Sequence, residues 1–235
     1  MKVGTDGVLL GAWTPLPPYR EDAESFQALE VGCGCGIVSL MLAQRLQENG
    51  WHENFGITAI DIHEPSCREA ARNAAQSPWS GSLAVENVDF LRMPEEKKFS
   101  LIVSNPPFFD ESLKSPDAAR NLARHNDTLP FASLLKKSQG LLPAGGLLAL
   151  VLPPRAFDKM RLLQEESAPC MALVRLTRVF SKPGKACERL LCTWQKPPES
   201  RLHPAVHEDR LFIHDAQGGY GESYRRLVKD FYLWA

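Results

Sequence analysis

Residues 26–46 constrain the fold most. Phe26-Gln27-Ala28-Leu29-Glu30-Val31 reads as a strand, Gly32-Cys33-Gly34-Cys35-Gly36 as a tight turn, and residues 37–46 as an apolar helix. Strand, glycine turn and helix form the first unit of a doubly wound parallel sheet. Without a Cβ, the glycines let the backbone come close to a ligand. Tight packing of the helix on its strand can demand the same turn. The spacing is G-x-G-x-G, and the sixth position counted from Gly32 is Ile37. The dinucleotide fingerprint G-x-G-x-x-G is therefore missing, which argues against a nicotinamide-dependent dehydrogenase.

Strand and helix signals then alternate almost to the end of the chain. Residues 57–61, 82–86, 99–103 and 147–152 read as further strands, and 64–76, 131–139 and 154–166 as helices. The unbroken apolar run 147–152 is that of a strand buried on both faces. Residues 171–180 and 190–195 form a closing β-pair around the loop Ser181-Lys182-Pro183-Gly184-Lys185, and 223–234 an aromatic helix. Residues 4–13 read as a short helix that Thr5 or Asp6 can cap. The expectation is one α/β domain over residues 1–235. It has a Rossmann-like, seven-stranded, mostly parallel sheet with an antiparallel C-terminal strand and helices on both faces.

Three strand ends carry chemistry. The second ends in Asp61, a carboxylate that can accept both hydroxyls of a ribose, or cap the helix that follows. After the third comes Asp89-Phe90, an acid able to accept from an adenine amine beside a ring able to pack on the base. The fourth runs into Ser104-Asn105-Pro106-Pro107-Phe108-Phe109. Two prolines remove two backbone donors, and the first holds Asn105 extended. Such a stiff lip presents an amide, backbone carbonyls and an aromatic face, the groups needed to hold a planar amine. Taken alone, it also fits a proline-rich loop.

Hydrophobic residues make up 44% of the 235 and charged residues 23%, with a net charge of -1. No global field announces a nucleic-acid partner. Arg175, Arg178, Lys182, Lys185 and Arg189 against Glu188 alone make a local basic patch, suited to phosphates or to a solvated sheet edge. No apolar run approaches the roughly 18 residues of a membrane span. The N-terminus is a poor signal peptide. The six cysteines are scattered without C-x-x-C, which fits free thiols in a reducing cytoplasm. His203 and His207 are four apart, but Pro204 breaks a helical face between them, so no metal is expected.

Taken together, Glu30-x-Gly32-x-Gly34-x-Gly36, Asp61, Asp89-Phe90 and Asn105-Pro106-Pro107-Phe108 resemble a class I S-adenosylmethionine-dependent methyltransferase. Met1-Lys2-Val3-Gly4-Thr5-Asp6-Gly7-Val8-Leu9-Leu10-Gly11-Ala12-Trp13 and Gly219-Tyr220-Gly221-Glu222-Ser223-Tyr224 are similar to the bacterial valine-tRNA adenine-37 N6-methyltransferases. In that family a short basic and aromatic segment usually precedes the first block, and here the chain begins within the block. The resemblance implies S-adenosylmethionine as cofactor and tRNA as partner. It gives Gly32 and Gly34 the approach to methionine and ribose, Asp61 the ribose, and Asp89 with Phe90 the adenine. Glu30 faces the methionine ammonium, and Thr5 with Asp6 closes that end. Asn105, Pro106, Pro107 and Phe108 hold the target amine beside the cofactor. Arg120, Arg124 and the patch at 175–189 are expected to grip RNA. The alternatives are a glutamine side chain in a protein, a guanine N2 in ribosomal RNA, or a cofactor-binding module without catalysis.

Overall fold

The computed structural model describes residues 4–21, 25–52, 54–107, 129–198 and 205–233. Its strands are β1 (Phe26–Val31), β2 (Phe55–Asp61), β3 (Leu83–Asn87), β4 (Leu101–Ser104), β5 (Leu147–Leu152), β6 (Ala172–Phe180), β7 (Cys187–Gln195) and β8 (His207–Phe212). They form one sheet in the order β3-β2-β1-β4-β5-β7-β6-β8. Only β7 runs against the others among these strands.

The expected α/β architecture is present, with eight strands rather than seven. The additional strand, β8, pairs parallel to β6 from Arg175↔His207 to Phe180↔Phe212. Its sequence, His207-Glu208-Asp209-Arg210-Leu211-Phe212, starts with four exposed polar residues, so it lacks the apolar alternation that signals a strand. A charged edge strand of this kind resists pairing with another chain.

Alternating side chains sort the core into two layers. Ala28, Leu101, Val103, Ala149 and Val151 face one apolar cluster. Leu29, Val31, Ile102, Leu148, Leu150 and Leu152 face the other. Helices α1 (Thr5–Trp13), α2 (Ile37–Glu48), α3 (Glu64–Ala75) and α6 (Glu222–Val228) carry residues of the first face, and α4 (Phe131–Leu141) and α5 (Pro154–Ser167) those of the second. All of β5 but its first residue is buried, as the apolar run requires.

Two local expectations are corrected. Gly4 stands at the cap of α1, with no side-chain cap bond, so Thr5 and Asp6 lie inside the first turn. Asp6 spends its carboxylate on Arg189 of β7 instead, accepting from Nε at 2.9 Å. The last helix is shorter than the sequence suggests. It gives way after Val228 to a turn in which Phe231 and Tyr232 donate back to the Val228 carbonyl. Both rings then pack on the cluster that holds α1 and α2.

Candidate active site

The order β2-β1-β4 makes the gap between β1 and β4 the switch point of the sheet, where chain connections diverge to opposite sides. Ligands of open α/β sheets bind outside the carboxyl ends of the strands at this point. Here β1 ends at Val31 and β4 at Ser104, and these two residues are register partners. The Ser104 hydroxyl, fully buried, donates to the Val31 carbonyl at 2.8 Å. The pairing brings Asn105, first residue of the lip, level with Gly32, first residue of the glycine turn. Asn105 is exposed, Pro106 buried and Pro107 exposed. Phe108, with Phe109, Arg120, Arg124 and His125, lies outside the described residues.

The glycine turn needs its glycines. Gly32, Gly34 and Gly36 have φ of 74°, 56° and 80°, the left-handed region where other residues are strained. A Cβ on Gly32 would meet nothing within 4 Å, whereas one on Gly36 would stand 3.2 Å from the Ala70 Cβ. Gly36 is thus a packing glycine against α3. Gly32 faces open space, as a turn that admits a ligand must.

Glu30 is carried under this turn on the face of β1 that meets α2. It is 4% exposed. Its Oε2 accepts from the Ser39 backbone N–H at 2.9 Å and from the Ser39 hydroxyl, leaving Oε1 without a donor among the described residues. Burial holds its carboxyl up at about 7, against the lowering effect of the Ser39 bonds; the Asp61 charge adds to the rise. Burial and the charges of Glu30 and Asp61 also push up the Cys33 thiol, which stays protonated. Two acidic side chains, Glu30 and Asp61, thus stand at the turn.

Asp61, at the end of β2, is held by its own neighbours. Oδ2 accepts from the Gly34 N–H at 3.0 Å and Oδ1 from the His63 N–H at 2.9 Å. The carboxylate therefore joins the second strand end to the glycine turn. Asp89 caps the 3₁₀ turn Phe90–Arg92 by accepting from the Leu91 N–H at 2.9 Å, and its Oδ2 stands 3.6 Å from Arg92 Nε. Phe90 is 3% exposed and belongs to the second core layer.

Two apolar neighbours that sequence reasoning passed over stand in the open. Ile62 is 55% exposed beside Asp61, and Leu91 41% exposed beside Phe90. They flank the two acid-bearing strand ends with surface on which a planar base can lie. Their signal in the sequence was an apolar residue directly after each site residue.

The Asp6–Arg189 pair stands at the same rim. Arg189 precedes Leu190, the register partner of Leu152 at the carboxyl end of β5. The first turn of α1 is thereby pinned at the strand ends; Thr5 is exposed and Asp6 half-buried.

Other sequence candidates lie apart. Arg175 stacks on the Trp13 ring, 4.5 Å from its centroid, away from the rim and beside a cleft of about 430 Å³ lined also by Asp209, Arg210 and Arg226. Arg178 pairs with Glu208 at 3.5 Å. The basic patch is therefore not one surface. An apolar groove of about 300 Å³ between Met41, Trp79 and Phe231 holds none of the predicted site residues. No group of His, Cys, Asp and Glu suited to a metal occurs among the described residues, and His203 lies outside them.

Comparison with known proteins gives the family. Residues 18–166 match the family model "Methyltransferase small domain". A tRNA1(Val) (adenine(37)-N6)-methyltransferase of Bacteroides thetaiotaomicron is 36% identical over 99% of this chain and 91% of its own. One of Porphyromonas gingivalis strain W83, with the same name, is 40% identical over 99% of this chain and 89% of its own. The chain belongs to this methyltransferase family. Among solved structures, a protein of Agrobacterium tumefaciens described as a predicted O-methyltransferase superposes with a TM-score of 0.69 at 15% identity, covering 96% of each chain, and so shares the fold.

The methyl donor of the family is S-adenosylmethionine, and the residues present in this methyltransferase fit it. A buried carboxylate with one oxygen to spare suits an ammonium, and the open face of Gly32 suits a close backbone approach. No helix among the described residues is long and apolar enough to cross a membrane.

Proposed function

We propose that the protein methylates the N6 amine of adenine 37 in tRNA1(Val), with residues 1–235 acting as a single methyltransferase domain. The pairing of Val31 with Ser104 carries this reading, because it sets the lip Asn105-Pro106-Pro107 beside the glycine turn. Bound S-adenosylmethionine supplies an electrophilic methyl group on its sulfonium sulfur. Glu30 holds the methionine ammonium, Gly32 and Gly34 pass close to the methionine and ribose, and Thr5 with Asp6 closes that end. Asp61 accepts from the ribose. Asp89 accepts from the adenine amine; Phe90, expected from the sequence to pack on the base, is buried in the core, so Ile62 and Leu91 supply the exposed apolar surface beside it.

An exocyclic adenine amine is a weak nucleophile because its lone pair is delocalised into the ring. The Asn105 side-chain oxygen and the Pro106 carbonyl accept its two N–H bonds. That favours a pyramidal nitrogen with its lone pair directed at the methyl. Pro107 stiffens the lip, and Phe108 stacks on the base. Holding the two reactants in line is the main contribution. No strong base is required, since the methylated nitrogen readily gives one proton to water. The base must leave its stack to reach the lip, and a loop adenine does so more easily than a paired one. A tRNA substrate also places the protein in the cytoplasm.

The test is methyl transfer from labelled S-adenosylmethionine to a tRNA1(Val) transcript, followed by nucleoside mass spectrometry. N6-methyladenosine at position 37 is expected with the native protein. Asn105→Ala keeps cofactor binding and loses about 10²–10³ in kcat. No methyl in the transcript, or methylation at another base, overturns the reading.

A further inference from the structure

The peptide unit between Val31 and Gly32 opens the glycine turn, and both of its polar atoms are taken. The Gly32 N–H donates to the Ile60 carbonyl of β2 at 2.8 Å, with the Cys33 N–H on the same oxygen at 3.0 Å. The Val31 carbonyl accepts from the Ser104 hydroxyl of β4 at 2.8 Å. The first peptide of the turn is thus held by β2 through backbone and by β4 through a side chain.

The same serine is the root of the lip. Strand β4 has four residues, all buried. Val31↔Ser104 is its last register pair with β1, and Ser104↔Leu150 its last with β5. Among the described residues no backbone hydrogen bond carries the ladder on into Asn105, and Pro106 and Pro107 have no N–H to extend it. The Ser104 hydroxyl stands in for those missing donors. Beyond it Asn105 is exposed and Pro106 buried again. The amide therefore projects from between two fixed points, a hydrogen-bonded serine and a buried proline.

We propose that Ser104 is a positioning residue for methyl transfer: its hydroxyl ties the root of the lip to the first peptide of the glycine turn, and so fixes where Asn105 presents the target amine relative to the methyl donor. The proposal rests on the methylation reading above and names the residue that joins its two halves.

Two physical arguments support it. The rest of β4 is Leu101, Ile102 and Val103, so packing alone asks for an apolar residue at position 104. Ser104 is 1% exposed, and a hydroxyl buried there must find its partner inside the protein; the partner it finds belongs to the turn. Reaction between two held groups is also steep in distance, and a misplacement of about 1 Å can cost about a hundredfold in rate. One short bond between the element that meets the donor and the element that meets the amine acts on that distance.

The experiment compares native protein with Ser104→Ala, Ser104→Thr, Asn105→Ala and the double variant Ser104→Ala/Asn105→Ala. The readouts are S-adenosylhomocysteine affinity by calorimetry and single-turnover methyl transfer to tRNA1(Val) at saturating concentrations. Ser104→Ala is expected to keep cofactor affinity within about twofold and to slow transfer about ten- to a hundredfold. Ser104→Thr, which keeps the hydroxyl, restores most of that rate. In the double variant the loss is smaller than the product of the two single losses, because the hydroxyl acts in part through the Asn105 it places. A serine that only stabilises the sheet lowers the unfolding temperature but leaves the rate of the folded protein alone. An undiminished rate in Ser104→Ala, or losses that multiply fully, overturns the proposal and leaves the methylation reading intact. If Ser104→Ala fails to bind cofactor, Ser104→Cys, which keeps a weaker donor, decides by the same split. Absence of tRNA methylation by the native protein overturns both.

Discussion

Ser39 grips one oxygen of Glu30 with two donors and leaves the other without a donor among the described residues. The backbone N–H lies at 2.9 Å, with the hydroxyl beside it, and the carboxyl is almost wholly buried. A serine on the first turns of α2 thus orients an acid on β1, and burial keeps that acid protonated up to about 7.

Stability and cofactor affinity therefore depend on pH in opposite directions. The carboxyl of Glu30 rises from 4.5 to about 7 on folding, so between these values the folded protein binds the proton more tightly than the unfolded chain. Stability from this group is present below pH 4.5 and is lost as pH rises through about 7. A bound ammonium favours the ionised form, so affinity for S-adenosylmethionine increases up to pH 7, by at most about tenfold per pH unit. Urea unfolding and calorimetry between pH 5 and 8 read the two trends. Glu30→Gln is expected to flatten both; a Gln variant with the native pH profile removes Glu30 from the linkage.

Asp61 holds the glycine turn, and in the proposed function it holds the ribose as well. Asp61→Ala loses the acceptor for Gly34 and His63 together with the proposed ribose contact. A rise in cofactor Kd of about tenfold to hundredfold follows from losing a charged hydrogen bond. Calorimetry with S-adenosylhomocysteine measures it, and an unchanged Kd takes Asp61 out of the cofactor site.

Asp6 and Arg189 are partly buried, at 22% and 32% exposure, which puts their pairing above an ordinary surface bridge. A double-mutant cycle with alanine at both positions should return a coupling of about 1 kcal/mol in thermal unfolding. The coupling should grow when cofactor is present, if the pair holds the first turn of α1 over the methionine end. A coupling indifferent to cofactor makes the pair purely structural.

Gly11 tests how closely α1 approaches α2. Alanine there gains about 1 kcal/mol of helix propensity. Its Cβ, however, would stand 2.8 Å from the Met41 Sδ and 3.0 Å from the Met41 Cβ. The sulfur end can swing away, but the Cβ cannot without moving the helix. Overpacking of this kind costs about 1–3 kcal/mol, so a net loss of stability is expected in thermal unfolding, and a stabilised variant contradicts the packing.

Apolar runs made most of β1 to β7 legible, because a buried strand writes its burial into its side chains; β3, with no residue buried, was read from its alternation of apolar and polar residues. The acid at each strand end was equally plain. Two things escaped. The edge strand β8 has only Leu211 buried, so its hydrogen bonds to β6 leave no trace in hydrophobicity. The partner of Asp6 was also hidden: an acid near a helix start reads as a cap, and nothing local announces an arginine 183 residues away. Ile62 and Leu91 were visible but looked like ordinary apolar residues, since exposure is a property of the fold.

The N-terminal helix has a consequence for how the protein is made. Trp13 donates to Thr177 across 164 residues, and Asp6 meets Arg189 across 183. Helix α1 leaves the ribosome before β6 and β7, and its partners follow about ten to forty seconds later at ordinary elongation rates. A chain cut short before β7 can pair its first five strands and still lack the latch for Asp6. Docking of the first turn of α1 is thus a late event in biogenesis, reserved for chains synthesised through β7.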